Sequence, residues 1–372
     1  MIKTYKRYSI SVLFILLFIG CTTEKNEKKN DIDKLKLNGK VKSIKIITYR
    51  IIDKNDDGTT RENEKEIQYK TLTSFNTNGN EIEKIKYNLD GSLDERKVYK
   101  YDSKGNRIEH YIYNSEGDII SKSTDKYDLK GNRVEHKDYN NKGKLFNRET
   151  IKYNINGYKV ERKLFNYIGE NNYIELLKYN DIGSKIERKI YQKDSKGELY
   201  LDVKYLFVYD EKKNMVESNR FMFEGDSKNK FTKKFDVKGN MIEIDSYDSD
   251  GNIKFKVLFN FDKNGNKIEQ LKYNSDSILR NRNVYKYDIK GNEIEESIYD
   301  SDGVLYHKKN YKYDENDRMI EFISLTPTIK DIPNSFGSWE FKYDKNKNWI
   351  KSIVYKNGIP QSTTERTIEY YE

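Results

Sequence analysis

The chain has 372 residues, with 70 Lys and Arg against 61 Asp and Glu, and a formal net charge of +9. The two signs are interspersed, which excludes the concentrated basic stripe of a nucleic-acid binder and leaves a mild, solubilising surplus. Cys21 is the only cysteine, so no internal disulfide can form.

The first residues carry Lys3, Lys6 and Arg7, then the apolar run Ile10–Ile19, then Gly20-Cys21. A basic start, a short apolar stretch and a small residue before the cut read as an export signal over 1–20, too short to span a bilayer. The segment Leu17-Phe18-Ile19-Gly20-Cys21 resembles the lipobox of bacterial lipoproteins, with Phe18 where that family usually has Leu. The resemblance implies that Cys21 is acylated and becomes the mature N-terminus, in a cell-envelope location anchored to a membrane. Losing three cations and no acid lowers the charge from +9 to +6. Residues 21–34 are polar, mixed in charge and free of aromatics, which predicts a flexible tether reaching about 20 Å.

Leu35–Tyr49 predicts an opening cap. After it comes Asp53-Lys54-Asn55-Asp56-Asp57-Gly58 and then Glu64, a run with oxygen ligands at alternate positions and a bend glycine. Asp53, Asn55, Asp57 and Glu64 are therefore candidate calcium ligands. Against this, the flanks read as strands, Thr60 stands where calcium loops have an apolar residue, and the bland alternative is a solvated hairpin loop. No other cofactor is expected.

From about residue 70 the chain is periodic. Tyr101-Asp102-Ser103-Lys104-Gly105-Asn106 returns as Tyr127-Asp128-Leu129-Lys130-Gly131-Asn132, and Phe235-Asp236, Phe261-Asp262 and Tyr287-Asp288 open the same phrase, with a period of 26 residues. Glycines mark the chain at alternating spacings of 12 and 14, with Lys213, Ser277 and Asp317 standing in for glycine. Runs of Tyr, Ile, Val and Lys between such marks predict strands joined by tight hairpins, one two-strand unit per period. With four-residue loops, Glu109 would lie opposite Lys122. Likewise Glu83 would face Arg96, Glu135 Arg148, Glu217 Lys230, Glu243 Lys256, Glu269 Arg282 and Glu295 Lys308, while Glu161 would face Ile174. Opposed charges of this kind help set register. The other face is apolar, cleanest at Ile253, Phe255, Val257, Phe259 and Phe261, but has a polar middle at Glu95, Lys97 and His110.

Roughly twenty-two strands would span on the order of 100 Å if flat. The reading is an all-β, long antiparallel β-meander of 26-residue two-strand repeats over 35–324, curled into a superhelical ribbon or open shell. Pro327 and Pro333 break the rhythm, and 325–372, with Trp349 after Asn348, reads as a C-terminal capping segment. The phrase Tyr-Asp-x-x-Gly-Asn is similar to the YD repeats of the RHS family, which implies a β-sheet shell in a secreted or surface protein. Asn stands here where that family commonly has Arg after the repeat glycine. Tyr343-Asp344-Lys345-Asn346-Lys347-Asn348-Trp349 with Arg366-Thr367-Ile368-Glu369-Tyr370 resembles the close of uncharacterised repeat lipoproteins.

Chemistry is sparse. His110 and His136 share one slot of the repeat with Lys84, Arg162 and Arg188, which reads as a long or polar surface position rather than a metal site. The best-supported function is a non-enzymatic, lipid-anchored interaction scaffold. It is expected to be a monomer that binds the membrane through its lipid and an unknown protein or glycan, but no nucleic acid. The alternatives are a glycan-binding module built on tyrosine ladders and, behind it, a hydrolase using the repeat carboxylates. No catalytic residue is assigned.

Overall fold

The structure is a computed structural model that describes residues 30–51, 65–165, 171–194, 196–222, 228–326 and 335–372. One helical turn, α1 (Asp31–Lys34), precedes a run of strands: β1 (Val41–Ile51), β2 (Lys65–Phe75), β3 (Glu81–Tyr87), β4 (Leu93–Tyr101), β5 (Arg107–Tyr113), β6 (Ile119–Tyr127), β7 (Arg133–Asn140) and β8 (Leu145–Tyr153). They continue as β9 (Lys159–Phe165), β10 (Asn171–Tyr179), β11 (Lys185–Lys193), β12 (Leu199–Tyr209), β13 (Met215–Met222), β14 (Lys228–Phe235), β15 (Met241–Tyr247) and β16 (Ile253–Phe261). The last third holds β17 (Lys267–Asn274), β18 (Leu279–Tyr287), β19 (Glu293–Tyr299), β20 (Leu305–Tyr313), β21 (Met319–Leu325), β22 (Ser335–Tyr343), β23 (Trp349–Lys356) and β24 (Ile359–Tyr370).

The all-β antiparallel meander is what the repeat predicted. The open ribbon or shell is not: β24 pairs with β1 from Tyr370 opposite Val41 to Ser362 opposite Arg50, so the 24 strands close into a barrel. Closure has a direct physical reason. An open sheet leaves two rows of unpaired N–H and C=O groups at its edges, and joining the first strand to the last satisfies both rows at once. A ring of 24 strands at about 4.8 Å each has a circumference on the order of 115 Å, too wide for its own side chains to fill.

The repeated phrase builds one end of this ring. In Tyr101–Asn106 the Asp102 carboxylate accepts from Lys104 N at 2.9 Å, Asn106 N at 2.8 Å and Asn106 Nδ2 at 2.8 Å. Gly105 N donates to Asp102 O at 3.0 Å with Gly105 at φ +73°. The stand-ins pay the same conformational requirement: Lys213, Ser277 and Asp317 sit at φ +67°, +60° and +58°. Tyrosine links one unit to the unit before it. Tyr101 Oη donates to Glu81 O at 2.6 Å, and Tyr127, Tyr153, Tyr287 and Tyr313 make the equivalent bond twenty residues back. Lys104 Nζ reaches forward to Leu129 O at 3.3 Å, as Lys130 does to Ile155 O at 2.8 Å.

Register differs from the expectation by two residues. Glu109 lies opposite Thr124 rather than Lys122, and Glu83, Glu135, Glu161, Glu217, Glu243, Glu269 and Glu295 are displaced by the same amount. The glycine adds a bulge residue to the loop, and the ladder shifts again one residue beyond, as between Lys100 and Tyr101. A slip of two leaves every side chain on its expected face.

Ile44, Phe75, Leu177, Ile190, Val203, Val257 and Tyr285, all buried, share one face. Bending a sheet crowds the side chains on its concave side, so this is the inner face. The glutamates listed above occupy the outer one. Residues 30–40 cover the inner face at the turn end, where Ile32, Leu37, Val41, Ile44 and Phe75 form the apolar core cluster. Asn30–Lys34, the end of the segment that composition assigned to a tether, is a capped turn: Asn30 Oδ1 accepts from Asp33 N at 2.8 Å, and Asp31 N and Ile32 N donate to Gly79 O.

The last turn is adapted to closure. Asn348 occupies the position from which Asn106 bonds its own turn aspartate. Its main-chain N still donates to Asp344 at 2.9 Å, but its side chain accepts from Asn38 N at 2.8 Å and donates to Asn38 O and Tyr370 Oη at 2.9 and 2.8 Å. Asp344 is left free to accept from Tyr370 Oη. Asn348→Ala strands these buried groups and should cost about 1–3 kcal/mol in urea unfolding, with amide exchange accelerated in β1 and β24 before β10 and β11. Lys213→Gly should act in the opposite sense, stabilising by about 1 kcal/mol, because it removes a left-handed side-chain conformation. Loss of stability in that variant would refute the turn geometry.

Candidate functional site: an inner-face charge network

The polar middle of the inner face is a chain of ion pairs. At its start Lys97 pairs Glu95 at 3.0 Å and His110 stacks on Tyr99 with ring centroids 4.7 Å apart. On β6 and β7, His136 is held between two carboxylates, Nδ1 2.8 Å from Asp125 and Nε2 2.9 Å from Asp138. Arg133 spans Asp125 at 3.4 Å and Glu149 at 2.5 Å, and Arg162 also donates to Glu149. Glu175 then receives Lys159 at 3.0 Å and Arg188 at 2.6 Å. The slot shared by His110, His136, Arg162 and Arg188 is thus an inner-face position, not the surface position read from sequence. From this slot His136, Arg162 and Arg188 each meet a carboxylate on the strand before, Asp125, Glu149 and Glu175, while His110 stacks on Tyr99.

The acids here are desolvated: the side chains of Asp125, Glu149 and Glu175 are only 3%, 6% and 5% exposed. Burial pushes the Glu175 carboxyl up, but Lys159 and Arg188 outweigh it and hold it below the ordinary carboxylate range. The Asp125 hydrogen bond, opposed by burial and helped by Asp138, raises His136 above its ordinary 6.5. Burial lowers His110, with Arg107 and Lys97 adding to the effect.

On the outer face every expected pair forms, diagonally rather than directly across. The distances are Glu83–Arg96 2.7 Å, Glu109–Lys122 3.5 Å, Glu135–Arg148 2.7 Å, Glu217–Lys230 2.9 Å, Glu243–Lys256 3.1 Å, Glu269–Arg282 2.6 Å and Glu295–Lys308 3.0 Å. Glu161, left without a mate by sequence, pairs Lys152 at 3.0 Å and Lys163 at 3.2 Å. A second row of partners went unread. The lysine before the repeat tyrosine lies directly opposite the glutamate nine residues on, as in Lys100–Glu109 at 2.8 Å, Lys234–Glu243 at 2.8 Å and Lys286–Glu295 at 3.0 Å. That fixed spacing was the available signal. Outer tyrosines also carry cations over their rings: Arg96 on Tyr113 at 5.4 Å, Arg282 on Tyr299 at 5.7 Å and Lys70 on Tyr87 at 4.6 Å.

One outer acid is set apart. Asp245 is buried beside Glu243, and burial raises its carboxyl above the ordinary range while Glu243 is held below it. Its Oδ1 keeps only a 3.4 Å ion pair to Lys256, which the two acids share.

Among the described residues, no group of three His, Cys, Asp or Glu is arranged to hold a metal, and no helix is long and apolar enough to cross a membrane. Cys21 and the calcium candidates Asp53, Asn55, Asp57 and Glu64 lie outside the described residues. The outer face carries its ion pairs at mid-strand, where a barrel embedded in lipid carries an apolar band.

A family model described as an uncharacterised protein matches residues 237–370. No curated protein matches the chain. Among solved structures, the complex TcdB2-TccC3-TEV is similar at 13% identity and a TM-score of 0.37, over 87% of this chain and 19% of that one. The Photorhabdus luminescens Tc holotoxin pore is similar at 12% identity and a TM-score of 0.31, over 80% of this chain and 19% of that one. A porin-like protein from Bacteroides uniformis is similar at 9% identity and a TM-score of 0.18, over 88% of this chain and 96% of that one. The chain therefore spans about a fifth of the first two proteins, and all three likenesses are too loose to carry an argument about function.

The network makes two predictions. Glu175→Gln leaves Lys159 and Arg188 without their buried counter-charge and should cost about 3–5 kcal/mol. Glu109→Gln, at a 25% exposed side chain, should cost under about 1 kcal/mol in the same denaturant titration. For pH, the groups facing His136 are Asp125 from β6, Glu149 from β8, and Asp138 and Arg133 from its own strand. Because the folded pKa is raised, the stabilisation by His136 is complete below 6.5 and is lost as pH rises through the folded value. His110 has the opposite sign: its contribution is present above 6.5 and is lost as pH falls through its lowered folded value. Melting temperature followed across this range should lose its alkaline decline in His136→Gln and its acidic decline in His110→Gln.

Proposed function

We propose that the protein is a lipid-anchored, non-enzymatic scaffold of the cell envelope, held at the membrane by Cys21 with the tyrosine–aspartate turns toward the bilayer. The carrying observation is where the N-terminal segment docks: Asn30 Nδ2 donates to Asn78 O at 3.1 Å and Asp31 N to Gly79 O, both on the turn between β2 and β3 at the same end of the ring. Eight residues, 22–29, separate Cys21 from Asn30 along the chain. The opposite rim faces away from the membrane in this orientation. It holds the connections of unequal length, including those between β1 and β2 and between β21 and β22, and variable loops on a rigid frame are where binding surfaces are usually carried.

The paired state of the carboxylates supports a scaffold over a hydrolase, since each repeat glutamate already serves basic side chains. The cations over the outer tyrosine rings disfavour the glycan reading, because the ring faces that a sugar would stack on are occupied. The test has two parts. Cys21→Ala should move the protein from the membrane to the soluble fraction. In intact cells, a photo-crosslinking residue at Glu116 or Asp250 on the far rim should capture protein partners, whereas one at Ser103 or Leu129 should capture membrane components. Retention of Cys21→Ala on membranes, or identical products from both rims, would reject this orientation.

A further inference from the structure

The inner face changes character between β13 and β17. Around β6–β11 its cations are matched by Asp125, Glu149 and Glu175. On β13–β17 the strand acids Glu217, Glu243, Asp245 and Glu269 belong to the outer face, while Lys233 and Lys272 belong to the inner one. These two lysines lie on a single cross-strand row, Lys233 opposite Ile244, Ile244 opposite Val257, and Val257 opposite Lys272. Three strand spacings put them about 14 Å apart. The next row brings Phe231, Ser246 and Phe255 alongside, with the two phenylalanine rings 6.4 Å apart. Val257 and Ser246 are buried. Lys272 rests on the Phe255 ring at 5.8 Å. Burial alone lowers the Lys233 ammonium, with no charge partner acting on it. Above this row, the Arg220 Nε is buried without a hydrogen-bond partner.

A desolvated cation without a counter-ion is unfavourable, and around β6–β11 the same face matches its cations with acids. Here the missing element is an anion, and the surface next to the cation is apolar. We propose that this strip of the inner face binds a long-chain monocarboxylate, its head group on Lys233 and its alkyl chain over Ile244, Val257, Phe231 and Phe255. A neutral alcohol would leave the ammonium unpaired, and an alkyl cation would repel it. The inference is independent of the membrane anchor.

The experiment uses the mature full-length chain with dodecanoate and dodecyltrimethylammonium, each below its micellar concentration. Calorimetry should show saturable binding of dodecanoate and none of the cationic analogue. Lys233→Met should weaken dodecanoate binding about tenfold or more, while Lys233→Arg retains it. Without ligand, Lys233→Met should melt no lower than the parent, since it removes a desolvated charge. In the unmodified protein, dodecanoate should slow acylation of Lys233 but not of Lys234, which belongs to the outer face. Equal binding of both detergents, unchanged affinity in Lys233→Met, or equal protection of Lys233 and Lys234 would overturn the assignment.

Discussion

The structure depends on one backbone pairing, that of the first strand with the last. Everything between them is a chain of local hairpins, each formed from residues close in sequence. β1 and β24 lie more than 300 residues apart, and their meeting turns a long sheet with two raw edges into a ring with none. The surrounding chain is built to protect that pairing. The only apolar core cluster among the described residues sits there, under residues 30–40. Tyr371 N donates to Lys40 O and its Oη to Phe75 O, closing the last residues over the first strands. Elsewhere the ring is thin, one sheet thick, and relies on repeated small contacts rather than on a packed interior.

Those small contacts are of two kinds, and they divide the work. Main-chain ladders and turn hydrogen bonds fix the shape of each unit. Side-chain charges then join units, because outer glutamates such as Glu109, Glu135, Glu243 and Glu295 are met by a cation from the strand before and another from the strand after. Singly, such pairs are weak at exposed positions. Repeated around the ring, they penalise any slip of one strand, since a slipped strand would oppose like charges or turn its acids inward. On the inner face the same currency is used at lower dielectric, where His136 between Asp125 and Asp138 and Arg133 between Asp125 and Glu149 leave little freedom to rearrange.

The sequence was readable wherever the cause was local. The 26-residue phrase announced its own turn: glycine for positive φ, aspartate for the cap, and even the stand-ins Lys213, Ser277 and Asp317. Charge partners such as Glu135 and Arg148 were also legible, although their geometry was diagonal, because two bulges per hairpin move the ladder without changing faces. Closure was not legible. Asn348 looks like any other repeat asparagine, and nothing in its own unit tells that it bonds Asn38. The inner network was missed for a related reason. His136, Arg162 and Arg188 read as surface residues because closure of the ring, which no single unit shows, decides that their face is the inner one. The ordered turn at Asn30–Lys34 was hidden by composition, since a capped polar helix turn and a linker use the same residues.

The antiparallel seam carries an arithmetic consequence. Neighbouring strands alternate in direction, so the first and last can pair this way only when the total is even. Each repeat period contributes an up strand and a down strand together. Gene duplication or loss of a whole period would therefore widen or narrow the hoop while preserving its join, whereas loss of half a period would bring two like-directed ends together and break it. The length of the repeat thus sets the increments in which this architecture can change diameter over evolution.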